Sequence, residues 1–198
     1  MRFTMMSFLL CSATLGSATL GCATADPEDV DPLASIETSH FGAQIGSDDS
    51  PLLINEAATR LDVAAADFIE LENVGSAPYD LSAHVIRVFT AAGRLAFVIG
   101  LPVGGLELDV GEYFGAVNVS FSGSPPPKSI VYFNDLPDGA HIGLFLPDLP
   151  DGSPGDLLDK VSMREFLLSR CPDGQTTGND LVDFQRRPPT LGELNDCP

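Results

Sequence analysis

The chain has no tryptophan, three histidines, four cysteines and few cations: ten Lys and Arg stand against 28 Asp and Glu in 198 residues, a formal net charge of −18. Each scarcity excludes something. A nucleic-acid binder needs a basic footprint to displace counterions from phosphates, and this chain has none. The same charge sets it against a bare anionic membrane surface. His40, His84 and His141 fall in no H-x-x-x-H or H-x-H spacing, so the pattern of a zinc site is missing. Neither a phosphate-binding glycine loop nor a nucleophile elbow occurs, and no tandem repeat is present. A hydrophobic content of 44% still provides for a packed core in one domain of ordinary size.

What is present begins with an export signal. Met1-Arg2 is a short basic start, Phe3 to Leu20 carries no charge, and Pro27-Glu28-Asp29 closes the run of small residues that follows. The apolar heart is too short to span a bilayer, so residues 1–21 read as a signal peptide. Two cleavage readings compete. Thr19-Leu20-Gly21-Cys22 resembles a bacterial lipobox, with Thr19 where Leu is usual, and predicts lipidation at Cys22. Ala23-Thr24-Ala25 fits ordinary small-x-small cleavage. The first is favoured, because Gly-Cys at the end of an apolar run is otherwise uncommon. The expected location is the bacterial cell envelope, as a membrane-anchored lipoprotein or otherwise a secreted protein. Residues 22–50, rich in Asp, Glu, Ser, Gly and Pro, read as a flexible acidic tether.

Export also organises the cysteines. Cys11 lies in the leader and Cys22 is lost or lipidated, which leaves Cys171 and Cys197 as an even pair in an oxidising compartment. A bridge between them closes a loop of about 26 residues and contributes about 3 kcal/mol in the chain-entropy model. Neither cysteine has the context of a catalytic thiol.

From residue 51 the chain reads as short runs of Val, Ile, Phe and Leu punctuated by Gly and Pro. The runs predict strands over 52–58, 67–73, 84–90, 95–101, 113–119, 129–134, 141–146 and 157–163. Ile142, Leu144 and Leu146 share one face; Val131 and Phe133 share another, with Ile130 and Tyr132 opposite. A short helix is expected around 162–169. About eight short strands imply an all-β fold, a sandwich or a barrel, over residues 51–198.

Six blocks in order carry a family resemblance: Asn55-Glu56; Asp67-Phe-Ile-Glu-Leu71 with Asn73; Asp80-Leu-Ser82; Leu108-Asp-Val-Gly-Glu-Tyr113; Leu157-Leu-Asp-Lys-Val161; and Gln185-Arg-Arg187 with Pro189-Thr-Leu-Gly-Glu-Leu-Asn195. Together they resemble the lamin-tail domain over residues 51–195. That family has Gly-Trp where this chain has Ala83-His84, and Pro where it has Leu191. The resemblance implies an immunoglobulin-like β-sandwich with a non-catalytic binding or scaffolding role, engaging protein or glycan partners through end loops or a strand edge.

The residues themselves leave several roles open. Ile69 and Leu71 point to one face of their strand, Glu70 and Glu72 to the other, where solvated or turn-bonding acids are the common finding. Asn55, Asn73 and Asp80 are placed at strand ends, where short polar side chains bond nearby backbone. Glu56 and Glu70 read as structural, with Arg186 a candidate partner. Asp148, Asp151, Asp156 and Asp159 cluster in LPDLPDGSPGDLLD. They are turn formers on one reading and oxygen ligands for calcium on the other. Two further functions follow as alternatives: a calcium-stabilised surface structural protein, and an accessory to a secreted hydrolase or the hydrolase itself. Asn118-Val-Ser120 fits a glycosylation triplet that matters only in a eukaryote.

Overall fold

The computed structural model describes residues 50–59 and 67–198. The leader, Cys22, His40 and all of the tether but Ser50 lie outside the described residues.

Twelve strands and one helical turn are described: β1 (Leu52–Ala58), β2 (Phe68–Asn73), β3 (Tyr79–Asp80), β4 (Val85–Phe89), β5 (Leu95–Gly100), β6 (Glu107–Leu108), β7 (Tyr113–Asn118), β8 (Ser129–Tyr132), β9 (His141–Phe145), β10 (Leu157–Ser162), β11 (Leu167–Arg170), α1 (Asp180–Asp183) and β12 (Phe184–Gln185). Six form a sheet in the order β12-β11-β1-β2-β7-β8, four a sheet in the order β10-β9-β4-β5, and β3 pairs with β6. Neighbours are antiparallel except β7 and β8. The fold is mostly β, in several sheets, with no closed barrel. Each of the eight predicted ranges contains an observed strand.

One apolar cluster joins the two larger sheets. Ile54, Ile69, Leu71, Phe114 and Ala116 come from one, Ile86, Val88, Ile142, Leu144 and Val161 from the other. Alternation puts these side chains inward and their neighbours outward. It holds at β8, where Tyr132 is buried while Val131 and Phe133 are 56% and 78% exposed. It breaks at β1, where the register shifts between Ile54 and Glu56. A bulge at Asn55 lets Ile54 and Ala57, an odd number of residues apart, reach the same core. Asn55 therefore sits inside a strand, not at its end as the sequence suggested.

The helix expected over 162–169 does not form; β11 occupies its second half. Leu-rich MREFLLSR favours a helix locally, but pairing of β11 with β1 on one side and β12 on the other satisfies the backbone and overrides that preference.

Between β3 and β4 the chain makes a tight corner. Asp80 Oδ1 accepts from Ser82 N at 2.8 Å, and Ala83 takes φ of 62°. A Cβ in that left-handed region costs about 1–2 kcal/mol. His84 follows, buried, its Nε2 3.1 Å from the Tyr79 hydroxyl and its ring edge-on to the Tyr79 ring. Ala83→Gly removes the clash and loosens the unfolded chain. The net expectation is a gain of about 0.5–1 kcal/mol, a rise of roughly 1–4 °C in Tm, read by calorimetry. A lower Tm in the glycine variant would contradict it.

Candidate functional site

The acids of the strand motif are buried. Glu56 of β1 and Glu70 of β2 are direct cross-strand partners on the face of the six-stranded sheet opposite Ile69, Leu71 and the core, and neither is exposed. The segment after β12 covers them. Glu56 accepts from Ser169 Oγ at 2.9 Å and from Thr190 N at 3.1 Å. Glu70 accepts from Asn55 Nδ2 at 3.1 Å and from Gly192 N. Asn195 Nδ2 donates to Asn55 Oδ1 at 3.1 Å and to Arg170 O at 3.0 Å, while its Oδ1 accepts from the Thr190 hydroxyl at 2.8 Å. Asp173 completes the group by accepting from Asn55 Nδ2, Asn195 N and the Tyr113 hydroxyl at 3.0, 3.1 and 2.9 Å. Glu72, one pleat on from Glu70, is also buried, and its Oε2 has no hydrogen-bond partner among the described residues.

Loss of water dominates the electrostatics here. It pushes the Glu56 carboxyl up to about 7 and the Glu70 carboxyl to about 8, against the downward pull of the Thr190 and Gly192 amides. Glu72 rises to about 7, by burial and then by the Asp173 charge. Of the two readings of Glu70 and Glu72, solvated or turn-bonding, the solvated one does not hold, because a strand pattern cannot show what a segment about 120 residues later will cover; Glu56 and Glu70 take the structural role read for them in the sequence. Arg186 is exposed; one backbone amide and a hydroxyl hold Glu56, and one backbone and one side-chain amide hold Glu70, in place of an arginine.

A second polar group adjoins the first. Arg170, 1% exposed, donates through Nε to Ile54 O at 2.9 Å and through Nη2 to Asp159 at 2.5 Å. Its Nη1 lies 3.5 Å from Asp183, and its guanidinium stacks 4.4 Å above the Phe184 ring. Burial raises Asp159 to about 6 despite the pull of Arg170. Asp183 also accepts from Thr177 N and Oγ1 and from Thr176 Oγ1. Sequence reasoning missed Arg170, Asp173 and Asp183. The one signal was an arginine inside an apolar run, LLSRC, in a chain with few cations.

The four candidate calcium ligands are not brought together. Asp148 pairs with Arg87 at 2.6 Å. Asp151 accepts from Ser153 N and Oγ in a tight turn. Asp156 is exposed, its carbonyl accepting from Leu146 N. Asp159 is turned inward to Arg170 and Ile54 N. Among the described residues no group of three or more His, Cys, Asp or Glu is placed to hold a metal ion. The turn-forming reading describes Asp151, and Asp159 is half-buried against Arg170.

The remaining motif residues bond locally. Asn73 accepts from Gly75 N and donates to Ala77 O and Leu108 O. A Cβ at Gly75 would lie 2.7 Å from Pro51 Cβ, so this position requires glycine. Asn118 is buried, donating to Asn134 O and accepting from Ser120; its amide is not presented for glycosylation. Cys171 and Cys197 form the expected disulfide, which fixes the end of the covering segment beside β11. His141 lies 3.0 Å from Ser162 Oγ. An open depression of about 370 Å³ lies between Thr59, Asp138, Met163, Arg164 and Phe166; its cation, Arg164, already donates to Asp180 O and Phe184 O.

Chemically, two cross-strand carboxyls with raised proton affinity form a pair able to share a proton. Here their oxygens are spent on the chain's own amides. No family model matches the chain, and no curated protein matches it.

Proposed function

We propose that this chain is a non-catalytic binding or scaffolding module of the bacterial cell envelope. In this reading it is an immunoglobulin-like sandwich of the lamin-tail type, held to the membrane through a lipidated Cys22, that engages a protein or glycan partner in trans. One observation carries it: the conspicuous acids and amides are committed within the chain itself, Glu56, Glu70 and Asn73 to backbone groups and Asn55 to the side chains of Glu70, Asp173 and Asn195. Groups used in this way stabilise a scaffold and leave recognition to its loops and edges.

Two further observations support the reading. The Cys171–Cys197 bridge suits an oxidising compartment. The corner at Ala83-His84 has a left-handed residue followed by a buried ring, at the place where the lamin-tail pattern has Gly and a buried indole. For contact with a partner, β5 offers an uncharged strand at a sheet edge, with Leu95 and Val98 exposed.

The test uses the chain expressed with its own leader in a bacterium. Labelled palmitate should enter the wild type and be absent from Cys22→Ser. The purified protein should bind sacculi or envelope proteins saturably and stay silent against ester, glycan and phosphodiester substrates. An unlabelled wild type removes the anchor. Turnover that disappears in Glu70→Gln removes the non-catalytic role.

A further inference from the structure

Four carboxyls, from Glu56, Glu70, Glu72 and Asp173, meet beneath residues 190–195. Glu56 and Glu70 lie directly opposite on adjacent strands, where side chains are about 4.5–5.5 Å apart at Cβ. Like charges at that spacing, out of water, resist joint ionisation. Glu72 Oε2 is buried with no donor among the described residues, so its charged form is unsatisfied there. The segment above has fixed ends. On one side β12 is paired to β11, and on the other Cys197 is bridged to Cys171. Between them residues 186–196 are held mainly by side-chain contacts: Thr190 and Gly192 on the two glutamates, Asn195 on Asn55 and Arg170 O, and Leu191 on the apolar group Ala58, Phe68, Val117 and Leu167.

We propose that residues 186–196 are a proton-gated strap, closed while the glutamates beneath stay protonated and lifted as they ionise.

The surrounding charges do not offset the cluster. Among the described residues, Arg170 of β11 is the cation facing it, and Asp159 of β10 and Asp183 of α1 already engage that guanidinium. Tyr113 of β7 donates to Asp173 and stays neutral, its proton held more tightly than usual. Lys128, ahead of β8, is turned to Glu112. The strap itself carries Arg186, Arg187, Glu193 and Asp196; Arg187 donates to Gln185 and Arg186 is exposed.

The sign follows from linkage. The closed state holds Glu56, Glu70 and Glu72 protonated to about 7, 8 and 7, against 4.5 in water. Closure therefore takes up protons. It is fully favoured below about 4.5 and is lost progressively as pH rises through about 7–8.

Hydrogen exchange on the mature, disulfide-intact protein tests this. After correction for intrinsic rates, protection of amides in 186–196 should fall about tenfold or more between about pH 5.5 and 8.5, one pKa unit of coupling being a factor of ten. Peptides from β2 and β7 should keep theirs. Glu56→Gln with Glu70→Gln should flatten the profile. Strap protection that is level or rises with pH in the wild type overturns the proposal. So does loss in equal proportion from β2, which would mark unfolding of the whole domain. Both outcomes are read on the wild type, whether or not the variant folds.

Discussion

Arg170→Ala should destabilise the domain by about 3–5 kcal/mol, the cost of leaving a buried charge without its partner. At roughly 2–4 °C per kcal/mol for a chain of this size, the Tm falls by about 6–20 °C. The guanidinium is the hub of the chain's second half: it joins β1 through Ile54 O, β10 through Asp159, α1 through Asp183, and covers the Phe184 ring. Removing it strands the buried Asp183 and the half-buried Asp159 and opens a void against an aromatic. Lysine at this position keeps a charge but not the planar fork, so Arg170→Lys recovers only part of the loss. Thermal melts followed by circular dichroism measure both. A Tm within about 2 °C of wild type for the alanine variant, below the effect of one lost kcal/mol, would show that the network is incidental.

Cys171→Ser with Cys197→Ser should cost about 3 kcal/mol. The bridge spans a sequence separation of 26, and its removal lets the unfolded chain expand. A larger m-value should accompany the lower midpoint, because the unlinked denatured state exposes more surface. The folded state is also affected. Cys197 anchors the end of the segment whose Thr190, Gly192 and Asn195 cap Glu56, Glu70 and Asn55, so that segment should lose exchange protection in the variant before the sheets do. An unchanged midpoint would mean that the side-chain contacts alone fix the tail.

Much of the strand framework was legible because local alternation and its turns encode it. Ile142 and Leu144 face inward, and Val131 and Phe133 outward, as period-2 order requires. Two kinds of feature were not legible. The first is structure created by pairing: β3, β6 and β12 have two residues each, and β11 carries helix-favouring leucines that only its neighbours hold extended. The second is burial by distant segments. Nothing within FIELEN shows that Glu70 will be capped by Gly192, and nothing within LLDKVS shows that Asp159 will meet Arg170. The Asp-rich stretch gave the opposite difficulty. Asp148, Asp151, Asp156 and Asp159 are close in sequence, yet turns and strand alternation send them to different partners.

Glu56 and Glu70 bind the chain's own tail through Thr190 and Gly192. The most direct measurement is the amide proton shifts of Thr190 and Gly192 by NMR. Glu56→Ala should move the Thr190 amide upfield and leave Gly192 largely in place; Glu70→Ala should do the reverse. Both amides unmoved in both variants would contradict the account, because the two carboxyls would then be free for some other task.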